Sequence, residues 1–432
     1  MNPWTLALFG FGGIVISVVI FKRPAIGAAL ILGLVHFERA LIFNGISLVK
    51  LLSIVCIGIL FARVLIKDKG IRIDRTAWLI ALFLAWVAIT VFWSSNQSVF
   101  LSEFVSLCLQ AFMYILIINL IRSKDDLQLA LWGHVIGGTV LAVILSITMI
   151  NLNFVRSTEM EIAGLGINLA ARMVGLNLLL AVLLAQLVES RLAKIVLILV
   201  AIISGIGSLL ALSRGNWVAL IVSAGVVIFI MSVKKGSQFN FRQIILVGII
   251  GIATMYAANQ YFFSDYGLSK LQDRAESSVT LSDGASGRFD IWRTAYIPFL
   301  EKPLFGHGFN TFKQLNEWKH TGAHNAFVLL AVEDGLLGVF LYCLIIGSVF
   351  FSLFNLNRIK VVNPVALGWG LALLVFLVIV SLVDSAVNRK YLWFVLGIIS
   401  LLIYYYGQNQ SVDETVEEFE PIKEIETTNQ LA

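Results

Sequence analysis

The sequence predicts an all-α, polytopic membrane protein, and three observations carry the prediction. Of 432 residues, 59% are hydrophobic and 13% charged, where a soluble domain carries roughly 25% charged residues. Apolar runs of about 20 residues, enough for a helix to cross a ~30 Å hydrocarbon core, recur along the chain. Short basic loops return after every second run, as they do when one face of a membrane collects Lys and Arg.

The runs lie at about 4–21, 25–43, 47–66, 76–93, 101–121, 128–150, 166–188, 193–212, 214–233, 241–262, 324–354, 364–385 and 390–406. A helix satisfies its own backbone N–H and C=O groups in lipid, so each run is read as helical and the fold as having about 12–13 transmembrane helices. The first run is followed by Lys22-Arg23 and has no basic region before it. That order is the reverse of a cleaved signal peptide, which predicts a retained span. His36, Glu38 and Arg39 interrupt the second run. If both cross, the N-terminus lies outside with Lys22-Arg23 inside; if either is re-entrant, both termini share the cytoplasmic side. The run at 324–354 exceeds what a bilayer needs and is expected to tilt or to extend into solvent. Cys56, Cys108 and Cys343 sit inside runs without CxxC spacing, so neither a disulfide nor a metal is indicated.

Lys67, Lys69, Arg72 and Arg75 crowd one short loop. Arg122 with Lys124, Arg191 with Lys194, Lys234 with Lys235 and Arg242, and Arg358 with Lys360 mark four more. All fit a cytoplasmic face, and the intervening segments Ser94–Ser98, Asn151–Ala163 and 263–322 then face outward. The last is the only long connection, where functional residues tend to collect. The expected organisation is a transmembrane bundle over 1–262, an external loop with short helices over 263–322, C-terminal spans over 323–407, and an acidic, disordered cytoplasmic tail over 408–432. The net charge of +5 is accounted for by the basic loops. Without a concentrated basic face, nucleic acid is not an expected partner. No period of 20–50 residues and no inverted halves appear, which weighs against a transporter built from paired broken helices.

Arg214 sits in Ala-Leu-Ser-Arg-Gly-Asn-Trp, between two runs with almost no loop, at the outer boundary. Two readings stand. One is an interfacial Arg snorkelling to water beside an anchoring Trp217. The other is a guanidinium at headgroup level whose planar fork grips the phosphate of a lipid-linked substrate. Arg288 and Arg293 fall in a short predicted helix with Ser286 as N-cap and Asp290 in its first turn. Arg288, Trp292 and Ala295 share one face of it. That helix is either solvated and amphipathic, or lies on the outer membrane surface and offers Arg288 to the same phosphates.

Pro303–Phe309 reads as a tight turn, with His307 expected at the surface. His324-Asn325 opens the long run, level with Arg214. An interfacial His is commonly structural, yet an imidazole of ordinary pKa near 6.5 also suits taking a proton from a sugar hydroxyl. Glu333 and Asp334 follow roughly 13–15 Å further along a helix axis. Carboxylates there are costly unless paired or facing a polar cavity, which makes them functional candidates, with Arg172, Glu38 and Arg39 as candidate partners. His320 and His324 have i, i+4 spacing but no Glu after the first, and Gly322 weakens the helix between them, so no metal site is expected. Gly-x-Ser-x-Gly is absent, leaving a serine hydrolase without its motif.

Taken in order, these pieces resemble the O-antigen ligase and polymerase superfamily of bacterial envelope glycosyltransferases. The matching residues are Ser213-Arg214-Gly215 before a span, Gly287-Arg288 with Trp292, Pro303-Leu304-Phe305-Gly306-His307-Gly308, and His324-Asn325 followed by Glu333-x-Gly335 and Gly338. They cover about residues 168–340. The resemblance implies a GT-C-like enzyme of the bacterial inner membrane, its site facing the periplasm or cell exterior. Such an enzyme moves a glycan from undecaprenyl diphosphate to an acceptor. The acceptor is lipid A-core for a ligase and another lipid-linked glycan for an O-antigen or exopolysaccharide polymerase. By the same resemblance, Arg214 and Arg288 hold the diphosphate, His324 activates the acceptor hydroxyl, and neither cofactor nor metal is needed. Arg293, Arg172, Asn325 and Glu333 complete the candidate site as substrate-binding residues, with Asn168 near a family region that often contains an Asn. Attack from the side of His324 favours inversion. The competing class is a transporter or flippase of a lipid-linked saccharide, which would use the same arginines without needing a base. A scaffold without chemistry is the third.

Overall fold

The computed structural model describes residues 3–43, 45–67, 70–95, 97–153, 160–233, 284–315, 322–358 and 363–407. The expected span at 241–262, the external loop at 263–283 and 316–321 with His320, the basic residues Lys69, Lys234, Lys235, Arg242 and Lys360, and the acidic tail lie outside them. Within the described residues the chain is an all-α, multi-pass membrane protein. Nine of the described helices are long and apolar enough to cross a bilayer.

In chain order the helices are α1 (Pro3–Lys22), α2 (Pro24–Leu34), α3 (Leu48–Lys67), α4 (Arg75–Ile89), α5 (Gln97–Leu120), α6 (Lys124–Asn151) and α7 (Ile167–Leu187). They continue with α8 (Arg191–Leu210), α9 (Arg214–Val233), α10 (Gly284–Glu301), α11 (Ala326–Glu333), α12 (Gly335–Arg358), α13 (Pro364–Val383) and α14 (Lys390–Tyr406). Side-chain oxygens start several of them: Asp74 caps α4, Ser123 caps α6, Ser190 caps α8 and Asn363 caps α13, each accepting from an otherwise orphan backbone N–H.

The predicted basic loops gather at one end of the bundle. Arg72 donates to the Tyr405 hydroxyl at 3.0 Å, Arg122 to the Gly70 carbonyl at 3.3 Å, and Gln128 to the Leu187 carbonyl at 3.0 Å. Arg23 joins them through Asp126 at 3.4 Å, so Lys22-Arg23 lies with the other basic loops. From there α2 and a 3-10 turn at Val35–Phe37 lead to Glu38, which pairs with Lys390 at the opposite end. The second run thus connects the two ends although its helix is short. A close seam with α6 makes this route compact, since a Cβ on Gly133 or Gly137 would collide with the α2 backbone.

Three of the described helices are largely enclosed by the rest. Some 78% of the apolar window of α7 and 67% of that of α13 is buried, against 28–44% for the other long spans, and most residues of the shorter α14 are buried as well. These three therefore decide what is held at the bundle's centre. Two-residue antiparallel hairpins, Ile42–Phe43 with Ile46–Ser47 and Glu161–Ile162 with Leu165–Gly166, top the end opposite the basic loops.

The run at 324–354 is not one helix. It breaks between α11 and α12 at Asp334-Gly335, where Gly335 has φ +70°. The Pro303–Phe309 turn docks into the break: His307 N–H donates to Val332 O (2.9 Å), Gly308 N–H to Glu333 O (2.7 Å) and Leu336 N–H to Pro303 O (2.8 Å). Gly306 and Gly308 also have positive φ, and a Cβ on Gly306 or Gly335 would strike the facing backbone. The extra length of this run is spent on a clasp, not on tilt. His307, expected at the surface, is buried there, its Nε2 2.7 Å from the Pro298 carbonyl.

Candidate active site

The turn between α8 and α9 sets Arg214. Leu212 adopts φ +51°, a left-handed conformation that costs a non-glycine residue roughly 1–2 kcal/mol. The neighbouring bonds hold it: Ser213 Oγ donates to Asn168 Oδ1 at 3.2 Å, Asn216 Nδ2 to Ser208 Oγ at 2.6 Å, and Trp217 Nε1 to Ser208 O at 3.1 Å. Gly215 lets the start of α9 approach the end of α13, because a Cβ there would stand 2.9 Å from Val383 Cγ2. The Ser-Arg-Gly tripeptide thereby puts Arg214, partly exposed, at the end of α13 and close enough to Arg288 for the two to repel.

Asp384 ends α13 and is the anchor of the site. Its Oδ2 lies 2.7 Å from Arg172 Nη1 and 3.6 Å from Arg389 Nε, and accepts from the Tyr391 hydroxyl at 3.2 Å. Arg172 Nη2 also donates to the Val383 carbonyl at 3.0 Å. Burial pushes the Asp384 carboxyl up. The Arg172 and Arg389 guanidiniums, His324 and the Tyr391 hydroxyl outweigh that and hold it below the usual carboxylate range.

Arg288 comes from α10. This helix begins at Gly284, so Ser286 lies inside it instead of capping it. Ile291 and Ala295 are buried, Trp292 donates to the Ala323 carbonyl at 2.9 Å, and Arg288 on the same side is half-buried. Its guanidinium is held below its ordinary value by burial and the nearby Arg172, with Asp384 pulling back and Arg214 adding repulsion. Arg172 and Arg389 thus pair with Asp384, Arg288 is drawn to the same carboxylate, and Arg214 adds a further cation near Arg288. Such a site has an excess of positive charge ready for an anion.

His324 precedes α11 and is exposed, with φ +50°. A left-handed backbone at a non-glycine residue is one of the strained conformations that collect at functional sites. Asn325 is held next to it by capping: its Oδ1 accepts from the N–H groups of Phe327 (2.9 Å) and Val328 (3.1 Å). Electrostatic coupling to Asp384 places His324 at the arginine cluster.

Arg172, Arg214, Arg288 and His324 are therefore brought together at one end of the bundle. Arg293 is exposed on α10. Glu333 belongs to the clasp, where its Oε1 accepts from Phe312 N–H at 3.0 Å. The partners anticipated for Glu333 and Asp334 are engaged elsewhere: Arg172 with Asp384, and Glu38 with Lys390. Asp384 was missed in the sequence, although an acid closing a predicted span is as costly as Glu333 and gives the same signal. Among the described residues no group of three His, Cys, Asp or Glu side chains is placed to hold a metal ion.

Comparison with known proteins bears on this constellation. Residues 198–343 match the family model described as O-antigen ligase. Over this stretch the chain is similar to the O-antigen ligase superfamily. The O-antigen ligase match takes in Arg214, Arg288, Arg293, His324, Asn325 and Glu333; Arg172 and Asp384 lie outside it. Family members are membrane glycosyltransferase-like ligases and polymerases. The chain is also 26% identical over 194 residues to an uncharacterized protein of Haemophilus influenzae, an alignment covering 39% of this chain and 45% of that relative. The chain thus spans less than half the length of the curated relative it matches.

Proposed function

We propose that this chain is an O-antigen-ligase-type glycosyltransferase. It takes a glycan from undecaprenyl diphosphate and transfers it to an acceptor hydroxyl, on lipid A-core or on another glycan. The observation that carries the reading is the gathering of Arg172, Arg288 and His324 around one carboxylate, Asp384, with Arg214 close to Arg288.

The chemistry follows from where charge develops. As the bond between the anomeric carbon and the diphosphate oxygen breaks, its electron pair goes to the leaving diphosphate. Fixed cations aimed there stabilise the transition state more than the ground state. Arg214 and Arg288 are suited to that work, because both are partly accessible and each presents a two-pronged donor. Arg172 is committed to Asp384 and Val383, so it acts as a positioning residue and a source of positive potential. The His324 imidazole takes the acceptor hydroxyl proton while the acceptor oxygen bonds the anomeric carbon from the face opposite the diphosphate, which inverts the configuration. No step calls for a metal, since guanidiniums carry the diphosphate charge. The basic loops at the far end of the bundle favour a cytoplasmic location for that end. The site then faces the periplasm or exterior of the inner membrane, where lipid-linked glycans are consumed.

The test is glycan transfer in a strain lacking this protein, complemented with wild type, Arg214→Ala, Arg288→Ala or His324→Ala at matched membrane levels. Accumulation of untransferred lipid-linked glycan in all three variants is expected. Full-length glycan left on its lipid carrier indicates a ligase, and single repeat units left there indicate a polymerase. Wild-type transfer by His324→Ala would remove the base from the mechanism and bring the transporter reading forward.

A further inference from the structure

Beside the arginine cluster lies a second polar chamber of about 280 Å³. Glu38, Arg39, Lys50, Gln110, Arg389 and Lys390 are among the residues that line it. It is formed where the first hairpin, the starts of α3 and α14, and the sides of α5 and α7 meet. Arg389 and Tyr391 form part of its wall and also touch Asp384, at 3.6 and 3.2 Å. The chamber and the proposed transfer site are therefore separated by one shared layer of side chains.

Its charges do not balance. Four cations face one carboxylate, Glu38, which is already taken up by Lys390 and by the Ser47 hydroxyl at 3.2 Å. Arg389 leans on Asp384, which serves Arg172 first. Among the described residues neither Arg39 nor Lys50 has an acidic partner. Lys50 is also near enough to Lys390 for the two ammonium groups to repel. Cations of one sign collected in a partly enclosed cavity are unfavourable until an anion enters.

A bare ion would leave one feature unexplained. Gln110 lines the chamber, and its side-chain oxygen is buried with no hydrogen-bond partner among the described residues. A buried acceptor of this kind costs about 1–3 kcal/mol unless a donor arrives, and a sugar hydroxyl is such a donor. The volume stands just below the roughly 300–1,000 Å³ of typical small-molecule sites, which suits one sugar residue and not an oligosaccharide.

We infer that this chamber binds an acidic sugar residue of the saccharide substrate, with Arg39 and Lys50 on its carboxylate or phosphate and Gln110 on a ring hydroxyl. This rests on the glycosyltransferase reading for the substrate's identity, but the binding itself is measured without any transfer. It makes the protein selective for glycans that carry an acid near the junction being formed.

The experiment is calorimetric titration of the full-length protein in phosphatidylcholine nanodiscs with glucuronate, glucose 6-phosphate, glucose and inorganic phosphate. The two acidic sugars are expected to bind at least tenfold tighter than glucose or inorganic phosphate. The double variant Arg39→Gln/Lys50→Gln should weaken the acidic sugars at least tenfold, and Lys50→Arg should restore binding by keeping the charge. Arg288→Ala should leave the binding of glucuronate, which carries no phosphate, unchanged, separating this chamber from the diphosphate site. Equal binding of glucose, or inorganic phosphate binding as tightly as the acidic sugars, overturns the inference. So does loss of glucuronate binding in Arg288→Ala, or displacement when phosphatidylglycerol replaces the neutral lipid, which would make the occupant a lipid headgroup. Acidic-sugar binding by a chain that transfers nothing keeps the chamber and removes the transferase reading.

Discussion

Arg172 and Asp384, 212 positions apart in the chain, meet at 2.7 Å with their side chains only 4% and 5% exposed. The pair ties two largely enclosed helices, α7 and α13, at the end of the bundle where Arg214, Arg288 and His324 collect. Removing one partner from a buried ion pair leaves an uncompensated charge and costs about 3–5 kcal/mol. Arg172→Leu and Asp384→Leu should therefore each lower the melting temperature sharply in detergent. The double variant Arg172→Leu/Asp384→Leu should recover most of that loss while leaving transfer impaired, because Arg288 no longer has Asp384 near it. Recovery of full transfer in the double variant would show that the pair serves packing alone.

The same pair has a pH signature. An ordinary Asp titrates near 3.9, and the Asp384 carboxyl sits lower in the folded protein. A group whose folded pKa is depressed stabilises the fold above its unfolded value, and that contribution is lost as pH falls through the folded one. It is whole above about pH 5 and fades below about pH 3.9. Thermal melts at pH 7, 5 and 3 should show the wild type losing more between pH 5 and 3 than the double leucine variant loses. Equal losses would mean that Asp384 is not paired in the folded state.

The clasp predicts a contrast between two glycines of α12. Gly335 has φ +70° and faces the Leu304 backbone, whereas Gly347 is helical with open space around it. Gly335→Ala should destabilise by more than about 1 kcal/mol, since the native backbone and the close approach both exclude a side chain. Gly347→Ala should be neutral or stabilising by about 0.5–1 kcal/mol. Comparing the two melting temperatures checks this. Similar values would indicate that the α11–α12 break tolerates a side chain.

Asn325 is predicted to act on transfer through His324. Removing the cap by Asn325→Ala should cost about 1 kcal/mol and release the strained residue before it. The turnover of the purified enzyme should fall, and Asn325→Asp, which keeps the capping oxygen, should restore it. If Asn325→Asp is as impaired as Asn325→Ala, the amide itself contacts substrate.

Charge without geometry should not suffice at Arg288. Arg288→Lys keeps a cation but loses the planar fork. Removing one donor to a developing oxyanion typically costs about 10²–10³ in turnover. Arg288→Lys should lose at least about tenfold and Arg288→Ala more, measured as initial transfer rates with the lipid-linked donor. Equal activity of Arg288→Lys and wild type would place Arg288 away from the diphosphate.

The membrane architecture was legible because hydropathy and loop charge act locally. A run such as 364–385 shows its helix by composition, and Asn363-Pro364 marks its start. The Ser213-Arg214-Gly215, Gly287-Arg288 and His324-Asn325 motifs could be found for the same reason, since each lies within a few residues. The break at Gly335 was less visible, because the apolar residues on both sides of Glu333-Asp334-Gly335 read as one continuous run. What breaks it is the Pro303–Phe309 turn arriving from elsewhere in the chain.

By itself, then, the sequence determined that this is a helical membrane protein, which of its ends is basic, and which arginines and histidine lie at the other end. Hydropathy and local motifs suffice for that, as each reports on its own stretch of chain. Only the tertiary structure decided that Arg172 answers Asp384, that Glu38 answers Lys390, and that Glu333 holds the Phe312 N–H. These are pairings between charges far apart in sequence. Burial gives every such charge the same need for a partner, and the packing of α7 against α13 and of the first hairpin against α14 chooses among them.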